Sequence, residues 1–434
     1  MFTLRRGLSS SRLLSHSRFS SSFSKLESSL KARQLPILYD YLTPQPSYLL
    51  TTTLADFLPF LSTDVPSRLP STSSPVPLPI SHHLVYFPNP TTPSSLLPDG
   101  TDTLHSPGEP FTNRLWAGGH IRFLKRHKPL LDGTRVAIVE GIRSVRVSGP
   151  TGAEKVFVGI ERRVAHVGDR EDDLKVRKRV WVEDEAKQGE AVIIERRDLC
   201  FLRPDMPNQD ERSSSSTKAK DAPPHRSLPP PSNPEFTHTL TPTPHLLSRY
   251  SALTYNAHAI HLDPLYTMIE YNEPGLLVHG PLLLTLMLTC LRHELEGYER
   301  IIKEINYRCL SPVFVGERIR VCGKRLTARP GKKEDGKGDE RDDLKGEDGW
   351  EVWIEKGGGE QQGGEQARTP ALAVRGTVST VYVGTSTAQV VDDCVTFHAA
   401  QRKRTKTDED KSDKMGDVAH DVDGVDEWLS TSTL

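Results

Sequence analysis

From residue 119 the chain falls into short stretches in which apolar and polar positions alternate. They are Gly119-His-Ile-Arg-Phe-Leu, then Gly133 through Val147, Lys155-Val-Phe-Val-Gly-Ile-Glu, and Ala191-Val-Ile-Ile-Glu-Arg-Arg-Asp-Leu. A two-residue period, many β-branched residues and glycine punctuation predict antiparallel strands. A second half repeats the plan. Residues 280–296, GPLLLTLMLTCLRHELE, are apolar on nearly every face and open with Gly-Pro, where Pro281 suits the first turn of a helix. After them come Ile301–Arg308, Glu317–Arg325, Trp350–Ile354 and Ala371–Val383, again strand-like. A helix that apolar must be buried, so the pattern predicts an α+β fold in which a curved antiparallel sheet wraps a central helix.

Composition limits how much of the chain takes part. Of 434 residues only 35% are hydrophobic and 33 are proline, which leaves the folded part smaller than the whole. Residues 1–30 carry Arg5, Arg6, Arg12, Arg18 and Lys25 among serines, with no acid before Glu27, the make-up of a mitochondrial transit peptide. Residues 203–235 are too poor in apolar groups to offset the entropy of ordering and read as a disordered linker. They separate an N-terminal domain, 36–202, from a C-terminal one, 236–390. Residues 330–349 and 357–369 read as insertions in a sheet, and 395–434 as a charge-mixed tail.

The net charge of −1 gives no general electrostatic reason for nucleic acid or an anionic membrane as partner. Cysteines 200, 290, 309, 322 and 394 form no CxxC pair and no zinc-like spacing, and read as reduced thiols. Leu282–Leu291, the longest apolar run, is about half of the ~20 residues that span a bilayer. The chain is therefore expected to be soluble, without a membrane span. The glycines at 357–359 lack the Lys-Ser/Thr of a phosphate loop.

Chemistry concentrates in Arg249-Tyr-Ser-Ala-Leu-Thr-Tyr-Asn-Ala-His-Ala-Ile-His-Leu-Asp-Pro, followed by His279-Gly280-Pro281 at the helix start. This segment resembles the Ser-Gly-Asp-x-Asn-Pro-x-His-x-Asp, then His-Gly, signature of the MaoC-like hotdog superfamily. Within it, the Thr-Tyr-Asn-x-His-x-Ile-His-x-Asp form is similar to the fungal mitochondrial 3-hydroxyacyl-thioester dehydratases of type 2, with the mesaconyl-CoA hydratases close behind. Pro107-Gly-Glu-Pro-Phe-Thr-Asn-Arg-Leu-Trp-Ala-Gly-Gly points the same way. The resemblance implies a double hotdog whose second half is catalytic and whose first half shapes the acyl pocket. It implies an acyl carrier protein or CoA thioester as substrate, mitochondrial fatty acid biosynthesis as setting, and no metal or redox cofactor. Oligomeric state stays open, since a double hotdog already pairs two halves in one chain.

Dehydration of a 3-hydroxyacyl thioester needs a base for the C2 proton, an acid for the hydroxyl and stabilisation of the carbonyl oxygen. His261 is assigned the proton transfers, because imidazole titrates near working pH. Gly280 at the helix N-terminus would let the thioester oxygen approach the backbone amides. Asn256 stands where the signature has Asp, and it can orient water but cannot take its proton. His258 and Asp263 are possible supports, although His258 also suits a loop-bracing role and Asp263-Pro264 a helix start. His279 is expected to pack or cap. Tyr250, Arg249, Arg114 and Trp116 are expected near the acyl or pantetheine entrance. His82 and His83 are expected at the surface. Two alternatives stay open: a hydratase of branched dicarboxylic CoA esters such as mesaconyl- or itaconyl-CoA, and a non-catalytic thioester-binding subunit. A thioesterase fits less well, because the first acid of the helix, Glu294, lies near its far end.

Overall fold

The computed structural model describes residues 25–62, 65–124, 129–204, 228–298, 300–326, 348–357 and 370–382. The expected tail, most of both insertions and the first two dozen residues lie outside these.

Among the described residues there are ten strands: β1 (Leu38–Tyr41), β2 (Asn113–Phe123), β3 (Arg135–Ser148), β4 (Lys155–His166), β5 (Ile193–Leu202), β6 (Phe236–Leu240), β7 (Arg300–Cys309), β8 (Ile319–Leu326), β9 (Asp348–Lys356) and β10 (Ala371–Tyr382). They form one antiparallel sheet in the order β1-β3-β4-β5-β2-β7-β10-β9-β8-β6. Each half has the same order, and the second runs as the reverse of the first. The seam is β2 against β7, from Gly118 opposite Arg308 to Arg122 opposite Glu304. The two expected sheets are therefore one continuous sheet, an α+β double hotdog with an internal pseudo-dimer.

The helices are α1 (25–31), α2 (Pro44–Leu54), α3 (Asp173–Val180), α4 (Pro244–Thr254), α5 (Pro264–Glu270) and α6 (Gly280–Leu295). Thr-Pro steps open both α2 and α4, with Thr43 and Thr243 at the N-caps and proline in the first turn. Helix α6 is the central helix of the second half. Its Leu282 to Leu291 face is buried all round against β2, β7, β8 and β9. Burial of this kind is worth roughly 1.5–3 kcal/mol per large apolar side chain. The first half differs from expectation. Between α2 and β2 the described residues hold only three short 3-10 turns, Pro59–Leu61, His82–Val85 and Pro93–Ser95. Prolines 66, 70, 75, 77 and 79 deny that stretch a long helix. Its Leu84, Val85, Tyr86 and Phe87 nevertheless join the core built round α6.

Two expected boundaries move. Leu30 on α1 is fully buried beside Leu35, Phe111 and Val156, so the fold begins before residue 30. At the other, the end of the expected linker is tied to the sheet: Leu372 N–H donates to Leu228 O at 2.9 Å, and Glu235 N–H to Gly323 O at 2.8 Å. Cysteines 200, 290, 309 and 322 are free thiols. Among the described residues no helix is long and apolar enough to cross a membrane.

Candidate active site

A cavity of about 620 Å³ lies between the halves. Helix α4 ends at Tyr255, whose left-handed backbone (φ 52°) turns the chain into the loop carrying Asn256, His258 and His261. The opposite wall is the start of α6, with His279, Gly280 and Pro281. The first half adds Arg114, Trp116, Asp102, His105, Glu140, Arg162 and Arg197.

His261 is buried, and its Nδ1 lies 2.7 Å from Leu277 O. A carbonyl only accepts, so Nδ1 carries the proton and Nε2 keeps its lone pair. Burial holds the imidazole down to about 4, against which the Leu277 bond works, while Arg114 adds to the lowering. The ring is thus a neutral base at physiological pH. It stacks on His279 with centroids 3.7 Å apart and meets His258 edge-on at 5.4 Å. Burial, and then the neighbouring histidines, also hold His279 well below the usual range.

The start of α6 forms the facing wall with donors that suit the other half of such chemistry. Backbone N–H groups in a first helical turn lack intrahelical acceptors and carry the positive end of the helix dipole, which suits a developing oxyanion. Gly280 has a second reason to be glycine: a Cβ there would sit 2.7 Å from the ring of Trp116. Trp116 is fixed in turn by a 2.8 Å bond from its Nε1–H to Tyr307 Oη and by Arg197 over its ring at 5.1 Å.

The remaining candidates divide. Asn256 Oδ1 accepts the His258 N–H at 3.0 Å, so its carbonyl braces the loop. Asp263 is exposed and caps α5 through the N–H groups of Leu265 and Tyr266. His279 occupies the N-cap position of α6, yet its side chain makes no capping hydrogen bond: its Nε2 shares a 2.9 Å hydrogen bond with Ser251 Oγ, and it packs against Tyr250. Tyr250 is buried and lines the cavity. Arg114 also lines it, with Asp102 at 3.4 Å. Arg249 does not. Helix α4 buries Leu246, Leu247, Tyr250 and Ser251, a face that turns Arg249 to solvent.

Sequence reasoning missed the polar wall of the first half. Arg162 bonds Glu140 and, at 3.1 Å, Glu195, which also binds Arg197 at 2.5 Å. Burial pushes these carboxyls up, but Arg162 and Arg197 outweigh it, leaving Glu195 at about 2 and Glu140 far below its usual range. The signal was present as two Glu-Arg-Arg triplets, 161–163 and 195–197, on neighbouring strands. His82 and His83 are buried, contrary to expectation: His82 Nδ1 meets Ser47 Oγ at 2.8 Å, and His83 packs edge-on against Phe123.

Residues 81–315 match the family model for hydroxyacyl-thioester dehydratase type 2. The chain belongs to this family. The matched span of the dehydratase type 2 model encloses the cavity loop and the whole of α6. A mitochondrial hydroxyacyl-thioester dehydratase type 2 of Schizosaccharomyces pombe is 29% identical over 293 residues, which cover 66% of this chain and 89% of the relative. A mesaconyl-C4-CoA hydratase of Chloroflexus aurantiacus is 32% identical over 268 residues, covering 61% and 79%. Among solved structures, a MaoC-like dehydratase from Phytophthora capsici aligns with 82% of this chain and 97% of its own at 12% identity and a TM-score of 0.46.

Proposed function

We propose that the chain is a hydro-lyase that interconverts (R)-3-hydroxyacyl and trans-2-enoyl thioesters, on acyl carrier protein or CoA, for fatty acid synthesis in the mitochondrial matrix. The observation that carries this reading is His261, a buried neutral imidazole with its Nε2 lone pair free, lining the same cavity as the first turn of α6. In dehydration Nε2 takes the C2 proton while negative charge builds on the thioester oxygen at the α6 N-terminus. The C3–O bond then breaks, and the proton on His261 leaves with the hydroxyl as water. In hydration the same steps run backwards. The matrix location is supported by the acid-free, Arg- and Ser-rich start of the chain and by the mitochondrial relative.

A second reading, hydration of a branched dicarboxylic CoA ester, is supported by Arg114 in the cavity wall and by the mesaconyl-C4-CoA hydratase relative. Loss of enoyl-thioester absorbance decides between them, measured with trans-2-enoyl-CoA substrates of rising length, the matching carrier-protein thioesters and mesaconyl-CoA. Turnover of linear substrates, reduced about 10²–10⁴-fold in His261→Ala, is expected. Turnover of mesaconyl-CoA alone would move the substrate class. No turnover of any of them would make the chain a binding subunit.

A further inference from the structure

Asn256 leaves the site without the carboxylate that the superfamily signature has at that position, yet a buried carboxylate reaches the same loop from the other half of the chain. Asp99 is 6% exposed and lies in the turn Pro98-Asp-Gly. Its Oδ1 accepts the N–H and hydroxyl of Thr101 at 2.9 and 2.7 Å. Its Oδ2 has no hydrogen-bond partner and lies 3.5 Å from His258 Nε2. The turn is seated on the loop by its backbone: Ala259 N–H donates to Asp99 O at 2.8 Å, and a Cβ on Gly100 would overlap Ala257 O at 2.1 Å. Tyr271 Oη is the other neighbour of His258 Nε2, at 3.3 Å, and it already accepts the Arg114 N–H.

We propose that Asp99 is a positioning residue that holds His258 as its Nε2–H tautomer, leaving Nδ1 as an acceptor on a ring that lines the cavity. This rests on the hydratase/dehydratase reading. In hydration, a water at C3 gives one proton to His261 Nε2 as its oxygen bonds to carbon, and His261 passes that proton to C2. His258 Nδ1 accepts a hydrogen bond from the other O–H, which stays on the product hydroxyl. The first half thereby supplies through His258 an acceptor for the water, a role the Asn256 carbonyl gives up in bracing the loop.

Asp99→Asn tests this, because the amide keeps the Oδ1 acceptor for Thr101 but offers N–H where the carboxylate offered a lone pair. Three readouts are compared for the wild type, Asp99→Asn and Tyr271→Phe: kcat and KM with a trans-2-enoyl thioester, melting temperature, and the His258 tautomer from ¹H–¹⁵N correlation of the imidazole. Expected are an Nε2–H tautomer in the wild type and in Tyr271→Phe. In Asp99→Asn, the tautomer should switch to Nδ1–H and kcat should fall about 10- to 100-fold, with KM and melting temperature nearly unchanged. An Nδ1–H wild type, an unchanged kcat in Asp99→Asn, or a loss that follows the melting temperature would each overturn the proposal. The tautomer is read without substrate, so a wild type inactive on every thioester would sink the hydratase reading separately.

Discussion

Gly280→Ala is the sharpest probe of the site, because its effect on packing and its effect on chemistry share one origin. The new methyl would stand 2.7 Å from Cγ and Cδ1 of Trp116, where ordinary contact begins at 3.4 Å. Either the indole or the first turn of α6 must retreat by about 0.7 Å, an overpacking that costs roughly 1–3 kcal/mol. Trp116 has little freedom to move, since Tyr307 and Arg197 hold its two sides. The helix start therefore takes part of the displacement, and with it the amides proposed to face the thioester oxygen. A full 1 Å misplacement of reacting groups costs about 100-fold, so a share of the 0.7 Å should lower kcat by up to about 10-fold. The assay is kcat with a trans-2-enoyl thioester beside the urea midpoint, for Gly280→Ala, Trp116→Ala and the double variant. Trp116→Ala removes Cγ and Cδ1 but keeps Cβ, 2.8 Å from the new methyl, so the clash is relieved in part and the stability losses should be less than additive. Wild-type kcat and midpoint in Gly280→Ala, or additive losses in the double variant, would refute the reasoning.

Three more outcomes are expected. In the folded chain burial holds His82 to about 3 and His83 and His261 to about 4, against a usual 6.5. The unfolded chain binds more protons below pH 6.5, so stability is complete above that value and declines as pH falls toward 4; melting temperatures measured from pH 7.5 to 5 should drop, and a flat profile would contradict the buried neutral histidines. Glu195→Gln leaves Arg162 and Arg197 short of a buried charge partner, and should lower stability by about 3–5 kcal/mol in urea melts; a loss below about 1 kcal/mol would mean the wall is well hydrated. Arg249→Ala should leave kcat and KM within about two-fold, as an exposed substitution does, whereas Arg114→Ala, which strips Asp102 of its cation in the cavity wall, should raise KM in the same assay.

Much of the second half could be read directly from residue order. A run after Gly-Pro that is apolar but for Thr285 and Thr289 admits only a buried helix, and the match to the MaoC-like signature is what tied Asn256, His261 and Gly280 to one site. Less was legible in the first half. Its polar wall uses strand positions that alternate like any solvent-facing edge, and alternation says which residues share a face without saying that the face looks into a cavity. Glu140, Arg162 and Glu195 are ionic and yet buried, because each satisfies the next. His82, His83 and Asp99 sit among prolines and glycines that carry no period at all. Only the sheet closing over them shows that the stretch is core. Arg249 misled for the opposite reason: proximity in sequence to Tyr250 is one helical step, which is about 100° of rotation away from the site.

The seam between β2 and β7 also governs the order in which the molecule can be completed. Strand β2 has its first neighbour, β5, within the same half, but its other edge has no partner until residues near Glu304 and Arg308 have been made. Until then the growing chain holds an open strand edge beside Gly118 and Gly119, the kind of edge that captures other strands. Pairings so distant in sequence close slowly. The rate at which the second half folds thus sets how long the first remains prone to aggregation, and variants that slow α6 or β7 should show it first as lost yield rather than as lost turnover.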